Sequence, residues 1–324
     1  MDPSASSFWS APVPPLDVGF ETFTRQEWAA LGLRADSGRS SNQMEEVAQR
    51  AGPISLDEVA DVYLPLSLFL TVLWESKRGR IAGVEQFLDS DRQSTPFMIG
   101  ITGSVAVGKS TAARVLKELL ERGPGHPTVG LLSTDSFLYP NRVLESRGLM
   151  DRKGFPETYD RAELIAALAA IRSGRPDVAV PVYSHRSYDI VPDEHQPICL
   201  PDLVIVEGLN VLQVASEPGP YGQVTVSDFL DMAVYVDAAE EAIARWFRQR
   251  LLGLRATGTE DPGAFLRWFS SLSDEQASDL ADQTWSGINL VNLRENVAPT
   301  RLRAQVILVK GGDQQVSQVM VRRP

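Results

Sequence analysis

Cysteine is nearly absent from this sequence, and basic residues are outnumbered by acidic ones. A single cysteine, Cys199, excludes any intrachain disulfide framework and fits a reducing compartment. We expect Cys199 to be a small buried hydrophobic residue rather than a nucleophile. The net charge of -11 argues against a general nucleic-acid binder, because nothing offsets repulsion from phosphate backbones over a wide surface. Positive charge must therefore act locally.

A secretion signal and a long apolar run are also missing. The first residues show no basic region followed by an apolar core. The longest apolar run, residues 62–74, contains Pro65 and is shorter than the ~20 residues needed to cross a bilayer. We therefore expect a soluble, cytoplasmic protein without a membrane association. With 324 residues and 43% hydrophobic content, the chain can bury a large core in one or two domains.

The most informative stretch is a phosphate-binding loop. Residues 103–111 match the pattern G-x-x-x-x-G-K-[ST], in which backbone N–H groups surround phosphate, the lysine reaches the β- and γ-phosphates, and the hydroxyl binds Mg²⁺. An apolar run precedes the loop, and apolar residues at helical spacing follow it, as the motif requires. The predicted nucleotide-binding residues are Gly103, Ser104, Val105, Ala106, Val107, Gly108, Lys109, Ser110 and Thr111.

Further buried strands are predicted at residues 129–135, 203–207, 232–237 and 306–309, with helices at 161–171 and 239–254 between them. Strands that alternate with helices indicate an α/β fold with a doubly wound, mainly parallel sheet flanked by helices. Residues 1–20 are expected to form a flexible tail, residues 21–95 a helical N-terminal extension, and residues 96–324 the catalytic core. Capping boxes at Thr24 and Ser55 and a kink at Pro65 are predicted within the extension, with a separate helix at 81–87.

Three strand ends should converge on one crevice, because ligands of open α/β sheets bind beyond the carboxyl ends of the strands. The crevice would hold the phosphate-binding loop, Asp135 and Glu207. Phosphoryl transfer needs a phosphate cradle, Mg²⁺ ligands, a base and cations around the transferring group. Lys109 would form part of the phosphate cradle. Ser110 and Glu207 would form the metal site, with Glu207 bound to the metal directly or through water. Asp135 would be the base, and Arg250 would be a cation near the transferring group. For Glu207 alone, a helix cap or a salt bridge is an equally good interpretation.

Long segments of the chain resemble the prokaryotic type I pantothenate kinases, which are P-loop kinases related to uridine kinase and phosphoribulokinase. The resemblance covers residues 55–310 and rests on the segments LDEVADVYLPLS (56–67), GSVAVGKST (103–111), TDSFL (134–138), RGLM (147–150), KGFPE (153–157), PVYSH (181–185), EGLNVLQ (207–213), VSDF (226–229) and NVAPTR (296–301). It implies the P-loop kinase fold, ATP and Mg²⁺ as cofactors, pantothenate as substrate, inhibition by coenzyme A and a homodimer.

The resemblance also implies roles for individual residues. Asp135 would be the base, and Lys109 and Ser110 the phosphate and Mg²⁺ residues. Arg114 and Lys153 match basic positions that meet phosphates of the nucleotide or of coenzyme A. Residues matching the pantothenate and coenzyme A sites are Tyr183, His185, Tyr188, Phe247, Arg250 and Asn289.

Two positions depart from the family pattern. This chain has Trp246-Phe247 where relatives usually have Trp-Tyr, and Arg250-Leu251 where they have Arg-Phe. One hydroxyl and one ring of the pocket are therefore missing, and we expect coenzyme A to bind more weakly.

Two alternatives stay open: a kinase for another small alcohol such as uridine, and a non-catalytic regulator that binds coenzyme A or a nucleotide. A regulator would be expected to lose Lys109 or Asp135, and both are present.

Overall fold

A computed structural model of the chain describes residues 19–34, 41–89, 95–214, 224–256 and 264–323. Nearly all of the predicted tail at 1–20 lies outside the described residues. The strands are β1 (Phe20–Thr24), β2 (Phe97–Gly103), β3 (Val129–Ser133), β4 (Asp177–Ser184), β5 (Asp189–Cys199), β6 (Leu203–Glu207), β7 (Met232–Ala238), β8 (Val306–Lys310) and β9 (Val316–Arg322).

The helices are distributed along the described part of the chain. They are α1 (Arg25–Arg34), α2 (Ser41–Ala51), α3 (Leu56–Glu58), α4 (Leu64–Leu88), α5 (Lys109–Glu121), α6 (Asn141–Ser146), α7 (Arg161–Arg172), α8 (Glu240–Ala256), α9 (Ala264–Ser270), α10 (Asp274–Thr284) and α11 (Leu290–Asn292). Three π-helical turns, Val59–Tyr63, Trp285–Asn289 and Leu293–Val297, interrupt the regular helices. Such turns occur frequently at functional sites.

Seven strands form one sheet in the order β1-β9-β8-β7-β2-β6-β3. The five strands from β3 to β8 in this order are parallel, and β9 and β1 add an antiparallel edge. All five predicted strands are confirmed, and they are the five parallel ones. The two remaining strands, β4 and β5, pair as an antiparallel hairpin.

Both faces of the central sheet are covered by helices, as the doubly wound prediction requires. On β2, Ile99 and Ile101 pack into the hydrophobic core that contains α5 and the N-terminal helices. Met98 precedes Ile99 and lies on the other face of the strand, where it packs into the opposite core with Leu168 of α7. Every residue of β2 is buried. The strand that leads into the phosphate-binding loop is therefore held rigidly from both sides.

The N-terminal extension differs from its prediction in several details. The capping box at Thr24 is confirmed, because its Oγ1 accepts from the backbone N–H of Glu27 at 3.2 Å. One half of the capping box predicted at Ser55 is confirmed, because its hydroxyl accepts from the backbone N–H of Glu58 at 3.1 Å. A carboxylate oxygen of Glu58 accepts instead from the backbone N–H of Val316 at 3.2 Å. The helix predicted at 81–87 is not separate but is the end of α4. Pro65 does not end the helix: it is the second residue of α4, which directly follows the π-helical turn Val59–Tyr63, and the kink expected there stays a prediction.

Cys199 is exposed, so the prediction of a buried hydrophobic residue was wrong. It is the last residue of β5, and its thiol donates to a carboxylate oxygen of Asp177 at 3.2 Å. Alternation along the hairpin buries its neighbour Ile198 instead. Within the described ranges, none of the helices combines the length and apolar character needed to cross a membrane.

Candidate functional site

The phosphate-binding loop joins β2 to α5 and depends on two glycines. Gly103 has φ 141°, and a Cβ there would lie 2.2 Å from the carbonyl oxygen of Val236, so no other residue fits. Gly108 has φ 100° and is the N-cap of α5. The loop therefore ends at a helix N-terminus, whose free N–H groups and dipole favour an anion.

Lys109 is the first residue of α5 and folds back over the loop. Its Nζ donates to the carbonyl oxygen of Ser104 at 2.8 Å. Burial lowers the pKa of Lys109, and the carboxylates of Glu207 and Asp135 partly oppose that shift. Both predicted acids thus act on the same ammonium group. The convergence expected of the three strand ends is present in the structure.

Ser110 and Glu207 face each other across the crevice. The Ser110 hydroxyl donates to Oε1 of Glu207 at 3.3 Å. Glu207 is the last residue of β6, where it pairs in register with Ser133 of β3 and Ile101 of β2, and it is only 7% exposed. A hydroxyl and a carboxylate are the hard oxygen donors that Mg²⁺ prefers, and it usually completes its shell with substrate phosphates and waters. The two residues fit such an ion.

Asp135 follows β3 in a short 3₁₀ turn, Thr134–Phe137. Its backbone N–H donates to the Ser133 hydroxyl at 3.3 Å, and its Oδ1 accepts from the hydroxyl of Tyr159 at 3.1 Å. Tyr159 was not predicted as a site residue. Its contact with Asp135 spans 24 residues and leaves no local pattern.

The segment 139–159, hereafter the flap, lies over the strand ends. Lys153 within it donates to Oδ1 of Asn141 at 2.7 Å and also to the carbonyl oxygen of Tyr188. Burial lowers the pKa of Lys153, opposed by the charges of Asp189 and Asp135. The Nζ atom also lies 5.3 Å from the ring centre of Tyr183. Lys153 therefore links the flap to the β4–β5 hairpin.

The hairpin carries three predicted pocket residues. Tyr183 and His185 pack edge to face, with ring centres 5.2 Å apart. Tyr188, at the hairpin turn, has φ 54°. Burial raises the pKa of Tyr183 and of Tyr188, and the positive charge of Arg250 opposes both shifts. Arg250 also contributes to lowering the pKa of Lys109, so it belongs to the same cluster although its side chain is exposed.

Two further predicted residues lie on neighbouring helical segments. The ring of Phe247 on α8 packs against Trp285, with centres 6.1 Å apart. Trp285 begins the π-helical turn that ends at Asn289. Leu251 is buried in a small cluster with Phe269, Ala277 and Ala281.

Arg114 has a partner in the N-terminal extension. Its Nε donates to the carbonyl oxygen of Ala51 at 2.7 Å, and its guanidinium reaches Thr111 Oγ1 at 3.5 Å. Another cation was not predicted: a Cβ on Gly108 would lie 3.1 Å from Nζ of Lys310, at the end of β8. Lys310 directly follows the strand predicted at 306–309, and this position is the sequence signal that could have identified it.

Comparison with known proteins agrees with this geometry. A model of the phosphoribulokinase / uridine kinase family matches residues 98–252. The chain is 46% identical to the pantothenate kinase of Parvibaculum lavamentivorans over 94% of each chain. It is 46% identical to that of Brevibacillus brevis, covering 95% of this chain and 98% of the relative. It is 47% identical to the pantothenate kinase of Streptomyces coelicolor, covering 95% of this chain and 95% of the relative.

Solved structures share the fold at lower identity. A fructose transport system kinase described from Silicibacter aligns with a TM-score of 0.53 at 21% identity, over 74% of this chain and 98% of the other. The YGR205w protein aligns with a TM-score of 0.50 at 17% identity, over 78% of this chain and 99% of the other. Given relatives of nearly half identity along almost its entire length, the chain belongs to the pantothenate kinases, a family of P-loop kinases.

Proposed function

We propose that this protein transfers the γ-phosphoryl group of ATP to the 4′-hydroxyl of pantothenate, the first step of coenzyme A biosynthesis. The observation that carries the proposal is identity of 45 to 47% to several pantothenate kinases over almost the whole chain. The convergence of Lys109, Glu207 and Asp135 on one crevice supports it independently, because these are the groups that phosphoryl transfer needs.

The nucleotide phosphates would bind in residues 103–111, where the loop amides and the N-terminus of α5 favour negative charge. Lys109 would exchange its bond to the Ser104 carbonyl for the β- and γ-phosphates. Ser110 and Glu207 would hold Mg²⁺, which when bound neutralises charge on the phosphates. Lys109 and Arg250 would stabilise the charge on the transferring group by electrostatic attraction.

Asp135 would accept the proton of the acceptor hydroxyl as it attacks. A carboxylate in this role orients the nucleophile and removes its proton, and a base of this kind contributes ~10²–10⁴-fold to the rate. Asp135 is half-buried at the strand end, beside the loop that would hold the phosphates. In this proposal the acceptor hydroxyl would lie between Asp135 and the phosphate that is transferred.

Pantothenate would lie under the flap and beside the hairpin. The polar residues that we propose to contact it are Tyr183, His185, Tyr188, Arg250 and Asn289, and the ring of Phe247 would lie at the edge of the site. The amide, hydroxyl and carboxylate groups of pantothenate need donors and acceptors of this kind. Lys153, fixed between the flap and the hairpin, adds positive charge on the same side.

We further propose that coenzyme A inhibits the enzyme by occupying part of the same site. Lys109, Arg114 and Lys153 would address its phosphates, and the neighbourhood of Phe247 its thiol end. The expected weak inhibition is tested by comparing coenzyme A inhibition constants of the wild type and Phe247→Tyr at fixed ATP. One recovered hydrogen bond should lower the constant about 2- to 10-fold. Equal constants would contradict the idea.

A second variant combines Phe247→Tyr with Leu251→Phe. The residues around Leu251 must shift to accommodate the larger ring. Leu251 packs against Phe269 and two alanines, so melting temperature is recorded beside inhibition.

We also propose that the protein is cytoplasmic and forms a homodimer whose interface includes the end of α4. Phe87 is 87% exposed, and Val84 and Leu88 nearby are exposed as well. Apolar residues grouped in this way on a helix are typical of an interface. Light scattering of the wild type and Phe87→Ser should show a dimer and a weakened dimer, respectively. A monomeric wild type would contradict the proposal.

The decisive experiment measures ADP formation with pantothenate and, separately, with uridine. Turnover with pantothenate is expected. Turnover with uridine but not with pantothenate would overturn the assignment of pantothenate as substrate. The enzyme would then be a kinase of another small alcohol. Binding of nucleotide or coenzyme A without turnover of any alcohol would indicate a regulator instead.

A further inference from the structure

The hydroxyl of Tyr159 is bonded to the carboxylate that faces the phosphate-binding loop. It donates to Oδ1 of Asp135 at 3.1 Å, and the tyrosine is only 7% exposed. With Oδ1 engaged, Oδ2 is the oxygen left to accept another proton. A buried hydroxyl that donates to a carboxylate fixes the rotation of that carboxylate as well as satisfying its own hydrogen bond.

Backbone bonds hold the two residues in register. Leu138 and Tyr159 form an isolated antiparallel bridge. On either side of it, Tyr139 donates through its N–H to the Thr158 carbonyl at 2.9 Å, and Asp160 donates to the Phe137 carbonyl at 2.7 Å. The end of the flap is thus tied to the turn that carries Asp135. The contact is built by main-chain pairing and not by a mobile side chain alone.

The surroundings keep Tyr159 protonated. Burial, the charge of Asp135 and the bond to it raise the pKa of Tyr159 well above its usual range. The hydroxyl is therefore a permanent donor over the working pH range of an enzyme. The ionisable groups that interact electrostatically with Asp135 come from the loop, the flap and the hairpin: Lys109, Lys153, Tyr159 and Tyr183. Glu207 acts on Tyr159 from β6.

We propose that Tyr159 is a positioning residue that holds the Asp135 carboxylate in the orientation required to accept the proton of the acceptor hydroxyl. The inference rests on the proposed function, since it assigns a partner to the proposed base. It gives the flap a second task besides covering the substrate: its last residue orients the base. Tyr159 itself touches neither the substrate nor the reacting atoms in this scheme.

The test is Tyr159→Phe, which removes the hydroxyl and keeps the ring. The turnover number with pantothenate should fall about 10- to 100-fold, because a hydrogen bond to a charged group is lost. The KM values for ATP and pantothenate should stay within about twofold. Tyr235→Phe, a buried hydroxyl removal in β7, is the matched control.

A double-mutant cycle keeps the inference testable even if the single variant is less stable. In an Asp135→Asn background, Tyr159→Phe should cost little further activity, because there is no carboxylate left to orient. Losses that simply multiply would overturn the inference, as would a Tyr159→Phe turnover number equal to that of the wild type. A wild type inactive with pantothenate, or a fully active Asp135→Asn, would instead overturn the proposed function.

Discussion

The backbone carbonyl of Gly154 accepts a hydrogen bond from Nδ2 of Asn292 at 2.9 Å. This bond ties the middle of the flap to the helical region that carries Asn289. Asn210, in the loop after β6, donates to the same carbonyl at 3.2 Å. Asn292 in turn accepts from Nδ2 of Asn296 at 2.9 Å. A short chain of amides therefore connects the flap to segments that are far apart in sequence.

Replacing Asn292 by alanine should loosen the flap. The change leaves Asn296 without an acceptor in a buried region and weakens the hold on Gly154, and an unmade buried hydrogen bond costs about 1–3 kcal/mol. We expect a raised KM for pantothenate and faster proteolysis within residues 139–159, with ATP binding little changed. Gln283→Ala, an exposed change in α10, is the control. An unchanged KM would show that the amide chain does not shape the pocket.

Asp135→Asn should leave nucleotide binding intact while lowering turnover about 10²- to 10⁴-fold, because an amide is nearly isosteric but cannot accept the proton. Steady-state kinetics and direct ATP binding separate the two effects. Asp151→Asn, an exposed carboxylate in the flap, should behave like wild type. Wild-type turnover in Asp135→Asn would mean that the base has been misassigned.

Glu207→Gln should raise the Mg²⁺ concentration needed for half-maximal activity. The substitution keeps the bond with Ser110 possible but removes the negative charge that attracts the cation. We expect a shift of about 10- to 100-fold, which a magnesium titration of the initial rate measures. Binding of nucleotide without Mg²⁺ serves as the internal control, and it should not weaken. A magnesium requirement equal to that of wild type would leave Glu207 a structural residue.

Asp231→Ala should cost stability in a pH-dependent way. Asp231 is bonded to Lys77 and Arg172, each at 2.7 Å, and Lys77 is 8% exposed. Burial disfavours the charged form of Asp231, but bonds from Arg172, Lys77 and the Met98 backbone outweigh it and lower the pKa. Removing one partner of a buried pair costs about 3–5 kcal/mol, whereas Asp282→Ala, in an exposed pair with Arg248, should cost under ~1 kcal/mol.

The sign of this pH dependence follows from the lowered pKa. The ionised carboxylate stabilises the fold fully above the unfolded pKa of about 3.9, and this contribution is lost as pH falls through the lower folded pKa. Urea unfolding of the wild type and Asp231→Ala should therefore differ most near neutral pH and converge in acid. A difference that is constant down to pH ~2 would contradict this account.

The parallel strands could be predicted because each is buried on both faces and is therefore a continuous apolar run. The edge strands β1 and β9 could not, since Thr22 and Gln318 face outward and break the apolar pattern. Helix α2 was missed, although its buried residues Met44, Val47 and Ala51 have the i, i+3, i+7 spacing of an amphipathic helix.

The site was predictable where chemistry follows strand ends, as at Ser110 and Glu207. The partners of those groups were not predictable, because they depend on how distant segments pack. Tyr159 meets Asp135 through pairing at the end of the flap, and Asn292 reaches Gly154 across 138 residues. No spacing rule in the sequence encodes such contacts. The family resemblance named the substrate but gave no bond of this kind.

The sheet order also constrains the sequence of events during synthesis. β9 lies between β1 and β8, and among the described strands β1 pairs only with β9. Phe20 pairs with Arg322, and the parallel strands of the sheet lie between these two residues in the sequence. A nascent chain must therefore carry β1 without this partner until β9 has left the ribosome. This edge of the sheet can form only after the parallel strands have been synthesised, and its pairing has the long sequence separation that slows folding.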